Sequence, residues 1–327
     1  MLVPIPGESL KDEFQRMLRE LVQSPEDERA ERLILLLVRL KRGGPEAVPV
    51  ILDFLRTGRD LPRETMVGKN SAYRSNGNLS SFRQLLTSTL VELGQGDPKL
   101  NVEVAKAVLP GAHTLGEVLK LIEEAEKVEP GAVRSEAIDA LRRLAGEKRN
   151  GITDFPKAMA LMARLHAEEL VPLYAAELEK RPYSLEIEGF LAALWGFPDE
   201  IRMQMSQRMI DSATVREKLR GYPSSWQWLD FRQPDFRAAV VEDFRQQKKE
   251  EFQMYLIRAL PDGKSSAASA IMRTVAGNAA PGAPGTREQA IARLALLDEL
   301  EPYCKTPLLQ QHLADSRKKL TVIAEKP

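Results

Sequence analysis

Apolar residues recur with a helical period from one end of this chain to the other, and no other feature limits its possible folds so strongly. Phe14, Met17, Leu18, Leu21 and Val22 fall three and four positions apart. That spacing puts them on one face of a helix, whereas a strand would alternate every second residue. Val118, Leu119, Ile122 and Ala125 keep the same rule, as do Val133, Ala137, Ile138, Leu141 and Leu144. Alternating patterns are absent, and the glycines and prolines lie mostly between periodic segments. The pattern predicts an all-α fold of about seventeen helices, roughly ten to seventeen residues each. Ser9, Asp154, Ser184 and Thr286 each precede a periodic run, where a side-chain oxygen can cap a helix. Pro45, Pro98 and Pro198 suit a first helical turn, where no N–H is needed.

The helical segments also repeat. Leu37-Val38-Arg39-Leu40 before Gly43-Gly44-Pro45 returns as Leu90-Val91-Glu92-Leu93 before Gly96-Asp97-Pro98. A looser third copy is Leu141-Arg142-Arg143-Leu144-Ala145-Gly146, the copies lying 53 and then 51 residues apart. A second phrase, Glu46-Ala47-Val48-Pro49-Val50-Ile51 with Leu55, matches Glu169-Leu170-Val171-Pro172-Leu173-Tyr174 with Leu178. Its proline is expected a turn inside a helix, bending the axis.

At these phrases the chain resembles the HEAT-repeat family, whose repeats open with a proline-bent helix. An antiparallel partner follows, here such as Ala132-Val133-Arg134-Ser135-Glu136-Ala137-Ile138-Asp139-Ala140-Leu141. The resemblance implies a right-handed α-α superhelix, a HEAT-like solenoid of antiparallel helix pairs, forming one elongated domain over residues 1–327. Its clearest repeats would be 25–180, with divergent helical repeats over 181–276. C-terminal helices would follow at 286–322, after a Gly/Pro/Ala-rich linker at 277–285. The repeat is longer than the usual ~40–47 residues, and the family's ladder of Asp and Arg is patchy. One helix pair cannot bury its own apolar face, so neighbouring pairs must stack.

Charge gives no global direction, since Lys+Arg and Asp+Glu both number 47. A balanced chain has little field to draw nucleic acid, which is an unlikely partner on this count. The longest aliphatic run, Leu33 to Val38, falls far short of the roughly 20 residues of a membrane span. The N-terminal residues lack the basic and apolar regions of a secretory signal. A cytoplasmic protein is therefore expected, the alternative being a secreted or periplasmic one whose signal peptide has been removed. Chemistry-bearing motifs are equally sparse. Cys304 is a single cysteine, which forbids an internal disulfide and reads as a passive thiol. His113, His166 and His312 lack partners at metal-ligand spacing. The acidic runs Glu123, Glu124, Glu126, Glu129 and Glu168, Glu169 read as solvated helix faces. Gly68-Lys69-Asn70-Ser71 lacks the earlier glycine and the strand of a phosphate loop. No cofactor, metal or catalytic residue is expected, and the oligomeric state is left open.

Three segments interrupt the helices: 57–79, 221–236 and 277–287. From Arg56 to Arg83 six basic residues face two acidic ones, a local charge of +4. Lys69, Tyr73, Arg74 and Arg83 are the expected contacts for an anionic or polar partner there. The second segment is rich in aromatics, and Tyr222, Trp226 and Trp228 are its candidate anchors for a protein surface, unless they close the core instead. The functional expectation is a non-enzymatic binding or scaffolding module that takes a protein or peptide on its concave face and loops. The alternative is a nucleic-acid-binding HEAT-like protein, the DNA glycosylase type included. That family is similar in pairing tryptophans with a carboxylate, here Trp226, Trp228 and Asp230.

Overall fold

The computed structural model describes residues 7–61, 81–94, 97–146, 154–180, 182–262 and 286–325. Among these residues there are sixteen α-helices and no strand. The chain divides into two compact units, Met1–Asp154 and Phe155–Pro327.

The first unit holds α1 (Leu10–Gln23), α2 (Glu26–Gly43), α3 (Ala47–Arg56), α4 (Phe82–Leu93), α5 (Pro98–Val108), α6 (Leu115–Val128) and α7 (Arg134–Leu144). Local chemistry marks their starts. Ser9 accepts from the Asp12 N–H at 3.2 Å and Thr114 from the Glu117 N–H at 3.2 Å. Ser81 and Gln84 form a reciprocal capping box. Each such cap stabilises its helix by about 1 kcal/mol. Pro98 opens α5 at its first position. Pro49 stands where the 3₁₀ turn Gly44–Glu46 passes into α3, so its missing N–H falls within the first turn of the α-helix and interrupts nothing. α1 packs on α2 and α3, α2 on α4, α3 on α5, and α4 on α6. Edge-on rings link three of these helices: Phe14 to Phe54 at 5.8 Å and Phe54 to Phe82 at 5.3 Å. Such pairs add about 0.5–1.5 kcal/mol each beyond the area they bury.

The second unit holds α8 (Asp154–Arg164, its first residue in the first unit), α9 (Val171–Lys180), α10 (Ser184–Ala193), α11 (Asp199–Asp211), α12 (Ala213–Gly221), α13 (Pro234–Gln246), α14 (Glu250–Asp262), α15 (Arg287–Leu300) and α16 (Pro307–Ala324). Thr286 caps α15 through the Gln289 N–H. Pro172 again follows a 3₁₀ turn, Glu168–Leu170. Here too a helix contacts the next but one: α9 packs on α11, α10 on α12, α11 on α13, α13 on α15 and α14 on α16. A 3₁₀ turn at Pro223–Trp228 touches α10, α12 and α14. No helix of the described residues is long and apolar enough to cross a membrane.

Candidate functional site

The aromatic segment is interior. Trp226 is 2% exposed and Trp228 5%, so neither offers a surface to a partner in this fold. The 3₁₀ turn packs against α10, α12 and α14, and the Trp228 ring is tied there by its polar atom. The Trp228 indole donates to Glu188 Oε1 at 3.3 Å, and the Trp195 indole donates to the Trp228 carbonyl at 2.8 Å. Of the three expected anchors only Tyr222 reaches solvent. Asp230, the carboxylate of the glycosylase-like alternative, is 1% exposed. It accepts from Arg202 at 3.1 Å, Arg232 Nε at 2.9 Å and Gln289 at 2.8 Å. Burial alone would raise this carboxyl, but the hydrogen bonds from Arg232 and Gln289 prevail and hold it down at about 2. A carboxylate so fully occupied is a structural counter-ion, not an available base.

Arg83 is also internal, with no exposed surface. The expectation that it contacts an outside anion is therefore corrected: its charge is matched inside. The guanidinium forks onto Glu117 at 3.0 and 3.3 Å, and Glu117 is itself fully buried. Further bonds run to the carbonyls of Leu55 at 2.7 Å and Gly111 at 3.0 Å. The Arg83 N–H donates to Asp60 Oδ1 at 3.1 Å, and the His113 N–H donates to Glu117 Oε2 at 3.0 Å. This knot joins the end of α3, the start of α4 and the start of α6, and it brings residues 55–61 against residue 83. Lys69, Tyr73 and Arg74 lie outside the described residues.

Beside the knot lies an open groove of about 590 Å³ between α1 and α3, closed at one end by residues 57–61. Its apolar floor is Leu18, Val22, Val50, Phe54 and Leu61. The helical period explains the α1 wall: Lys11, Gln15, Leu18, Val22 follow one face, a quarter-turn from the buried Phe14, Met17 and Leu21. Most of the charge on the wall is matched. Lys11 pairs with Asp53 at 2.8 Å, which raises the lysine and lowers the carboxyl from their ordinary values. Both ends are exposed, so the pair contributes little stability. Asp60 accepts from the N–H groups of Leu61 at 2.9 Å and Arg83. Arg19 and Arg59 are exposed and form no ion pair within 4 Å among the described residues, Arg19 feeling only the more distant Glu8. The groove thus pairs an apolar floor with two unmatched guanidinium groups. Sequence reasoning found the basic excess of the insertion but not the α1 wall, which comes from residues some forty positions earlier. The exposed Val22, beside Leu18 on the face that carries Lys11 and Gln15, was the available signal.

Elsewhere the chemistry is quiet. Burial pushes the Cys304 thiol up to about 11. No group of three or more His, Cys, Asp or Glu able to hold a metal ion occurs among the described residues. No protein-family model matches this chain, and no characterised protein or solved structure matches it either.

Proposed function

We propose that the chain is a non-enzymatic HEAT-like helical-repeat module that binds a peptide segment of a protein partner in the groove between α1 and α3. The observation that carries this reading is the groove itself, with its apolar floor and its unmatched Arg19 and Arg59. Apolar area provides the attraction, while exposed guanidinium groups select an acidic flank and speed encounter. The repeat architecture is supported by the packing within each unit, where most helices contact the next but one. Stacked pairs in a solenoid have this neighbour relation. The knot at Arg83 supports the same reading, since it fixes residues 57–61 as a rigid end wall, and a preformed wall reduces the ordering cost of binding.

The test places a photo-crosslinking amino acid at Gln15 or Gln23 of the full chain inside cells. A covalent adduct of defined mass is expected at both positions, and R19E/R59E should abolish it. The same probe at Lys248, on an exposed stretch of the second unit, should give no such adduct. Equal adducts at Lys248, or adducts indifferent to charge reversal, would refute the proposal. Both arginines are exposed, so the variant should retain its stability within about 0.5 kcal/mol.

A further inference from the structure

Six consecutive aliphatic residues, Leu33 to Val38, lie in the middle of α2. At 100° per residue such a run encircles the helix, and it cannot all face one core. Leu33, Leu36 and, one turn on, Leu40 point inward and are buried. Ile34, Leu35 and Val38 point outward and are 48%, 36% and 37% exposed. Within its unit α2 is packed by α1, α3 and α4, and this fourth side is open. An exposed aliphatic face on a helix of this length calls for a partner.

The charges on that face indicate which partner. Glu31, Leu35, Val38 and Arg42 are spaced by four, three and four residues, the spacing of a helix–helix seam. The stripe is acidic toward its N-terminal end, aliphatic at its centre and basic toward its C-terminal end. Arg39 is matched to Glu13, Lys41 to Glu92 and Glu28 to Arg32. Glu31 and Arg42 are exposed and have no ion-pair partner among the described residues. A stripe of this polarity complements itself only when a second copy runs antiparallel, related by a two-fold axis passing between Leu36 and Leu37. Glu31 of each copy then faces Arg42 of the other, and Leu35 faces Val38. An in-register parallel pair would set Glu31 against Glu31 and Arg42 against Arg42.

We infer that α2 is a self-association surface, pairing antiparallel with α2 of a second copy of this chain. The face is isologous, so one patch provides both halves of the contact. Three aliphatic side chains and one ion pair from each copy make a small interface, below the ~800 Å² per partner of a standard complex. Association is accordingly weak, with half-dimerisation on the order of 10 µM.

Sedimentation of the full chain from about 1 to 500 µM tests this. The mean mass should rise toward twice the monomer value, and V38E should hold it at the monomer value with unchanged helicity. E31R sets Arg against Arg and should weaken association about tenfold or more. The double exchange E31R/R42E restores opposite charges in the antiparallel register, and it should recover association. A cross-link fixes the geometry: E31C mixed with R42C should form a disulfide, with the wild-type chain and its buried Cys304 as background. E31C alone should not, because eleven residues of rise separate the two copies of position 31 by about 16 Å. A wild-type chain that stays monomeric overturns the inference. So does a dimer indifferent to V38E, a double exchange no better than E31R, or a self-linked E31C.

Discussion

Replacing Arg83 with Met keeps most of the side-chain volume and removes the guanidinium, and it is the sharpest test of the knot beside the groove. Five donor–acceptor contacts disappear: two to Glu117 and one each to the Leu55, Arg59 and Gly111 carbonyls. Glu117 has no exposed surface, so its carboxylate is left buried with the His113 N–H as its remaining donor. Breaking a buried pair by removing one member costs about 3–5 kcal/mol. Removing both, as R83M/E117L, eliminates the stranded charge and leaves chiefly the three carbonyls, a cost of about 1–3 kcal/mol. The double variant should therefore be more stable than R83M alone, with a coupling of about 2 kcal/mol. Hydrogen exchange read by mass spectrometry is the suitable assay, since it reports opening segment by segment and needs no two-state unfolding of a chain with two units. Faster exchange is expected in 55–61 and 82–93 in R83M, with α13 and α14 unchanged. A loss under about 1 kcal/mol, or a double variant worse than R83M, would show that the charge is not buried as described and would remove the rigid wall from the groove.

In the second unit, D230N should lower stability by about 1–3 kcal/mol, because Arg202 and Arg232 lose their buried shared counter-ion and keep only exposed carboxylates such as Asp199. The Asp230 carboxyl is held at about 2, below its ordinary value of 3.8. Its contribution is thus present above that ordinary value and lost as pH falls toward 2; thermal melts should show that acid slope in the wild type and less of it in D230N. The Cys304 thiol, buried and raised to about 11, should alkylate slowly at pH 8 in the native chain and rapidly in urea. Binding to duplex DNA should be weak and should vanish with added salt in a mobility-shift assay; tight binding at physiological salt would favour the nucleic-acid alternative.

The helices were legible because their apolar period is regular, and Ser9, Pro98 and Thr286 marked real starts. Arg83 shows where that legibility ends. A charge count along residues 56–83 treats every cation as outward-facing, yet Arg83 shares a helix face with Thr87 and Leu90, both fully buried. Its position in the period was the signal, and its residue type concealed it. Trp226 and Trp228 lie in a 3₁₀ turn too short to display any period, so their burial depends on α10 and α14, which no local pattern brings to them. The groove is hidden for a related reason: its two walls are separated by the whole of α2.

Arginine is the residue that relates these observations. Arg83 binds Glu117 and three carbonyls; Arg143 binds the carbonyls of Ala112 at 2.6 Å and Leu109 at 3.0 Å. Arg208 forks onto Glu179 at 2.7 and 2.8 Å and reaches the Pro172 carbonyl, while Arg216 and Arg220 share Asp243. Arg293, wholly buried, is held by the carbonyls of Leu260 and Gln227, and burial pushes it down to about 9. A planar guanidinium suits this work, since it can satisfy a helix-end carbonyl and a carboxylate together, which an ammonium cannot do in the same geometry. These internal ties join helix ends within each unit. They also change what net charge means for this chain: a neutral total includes many arginines already matched at helix junctions. Arg19 and Arg59 beside the groove, and Arg42 on α2, are exposed arginines outside those ties. Recognition is best sought where such unmatched charge adjoins exposed apolar surface, and both of those places meet that condition.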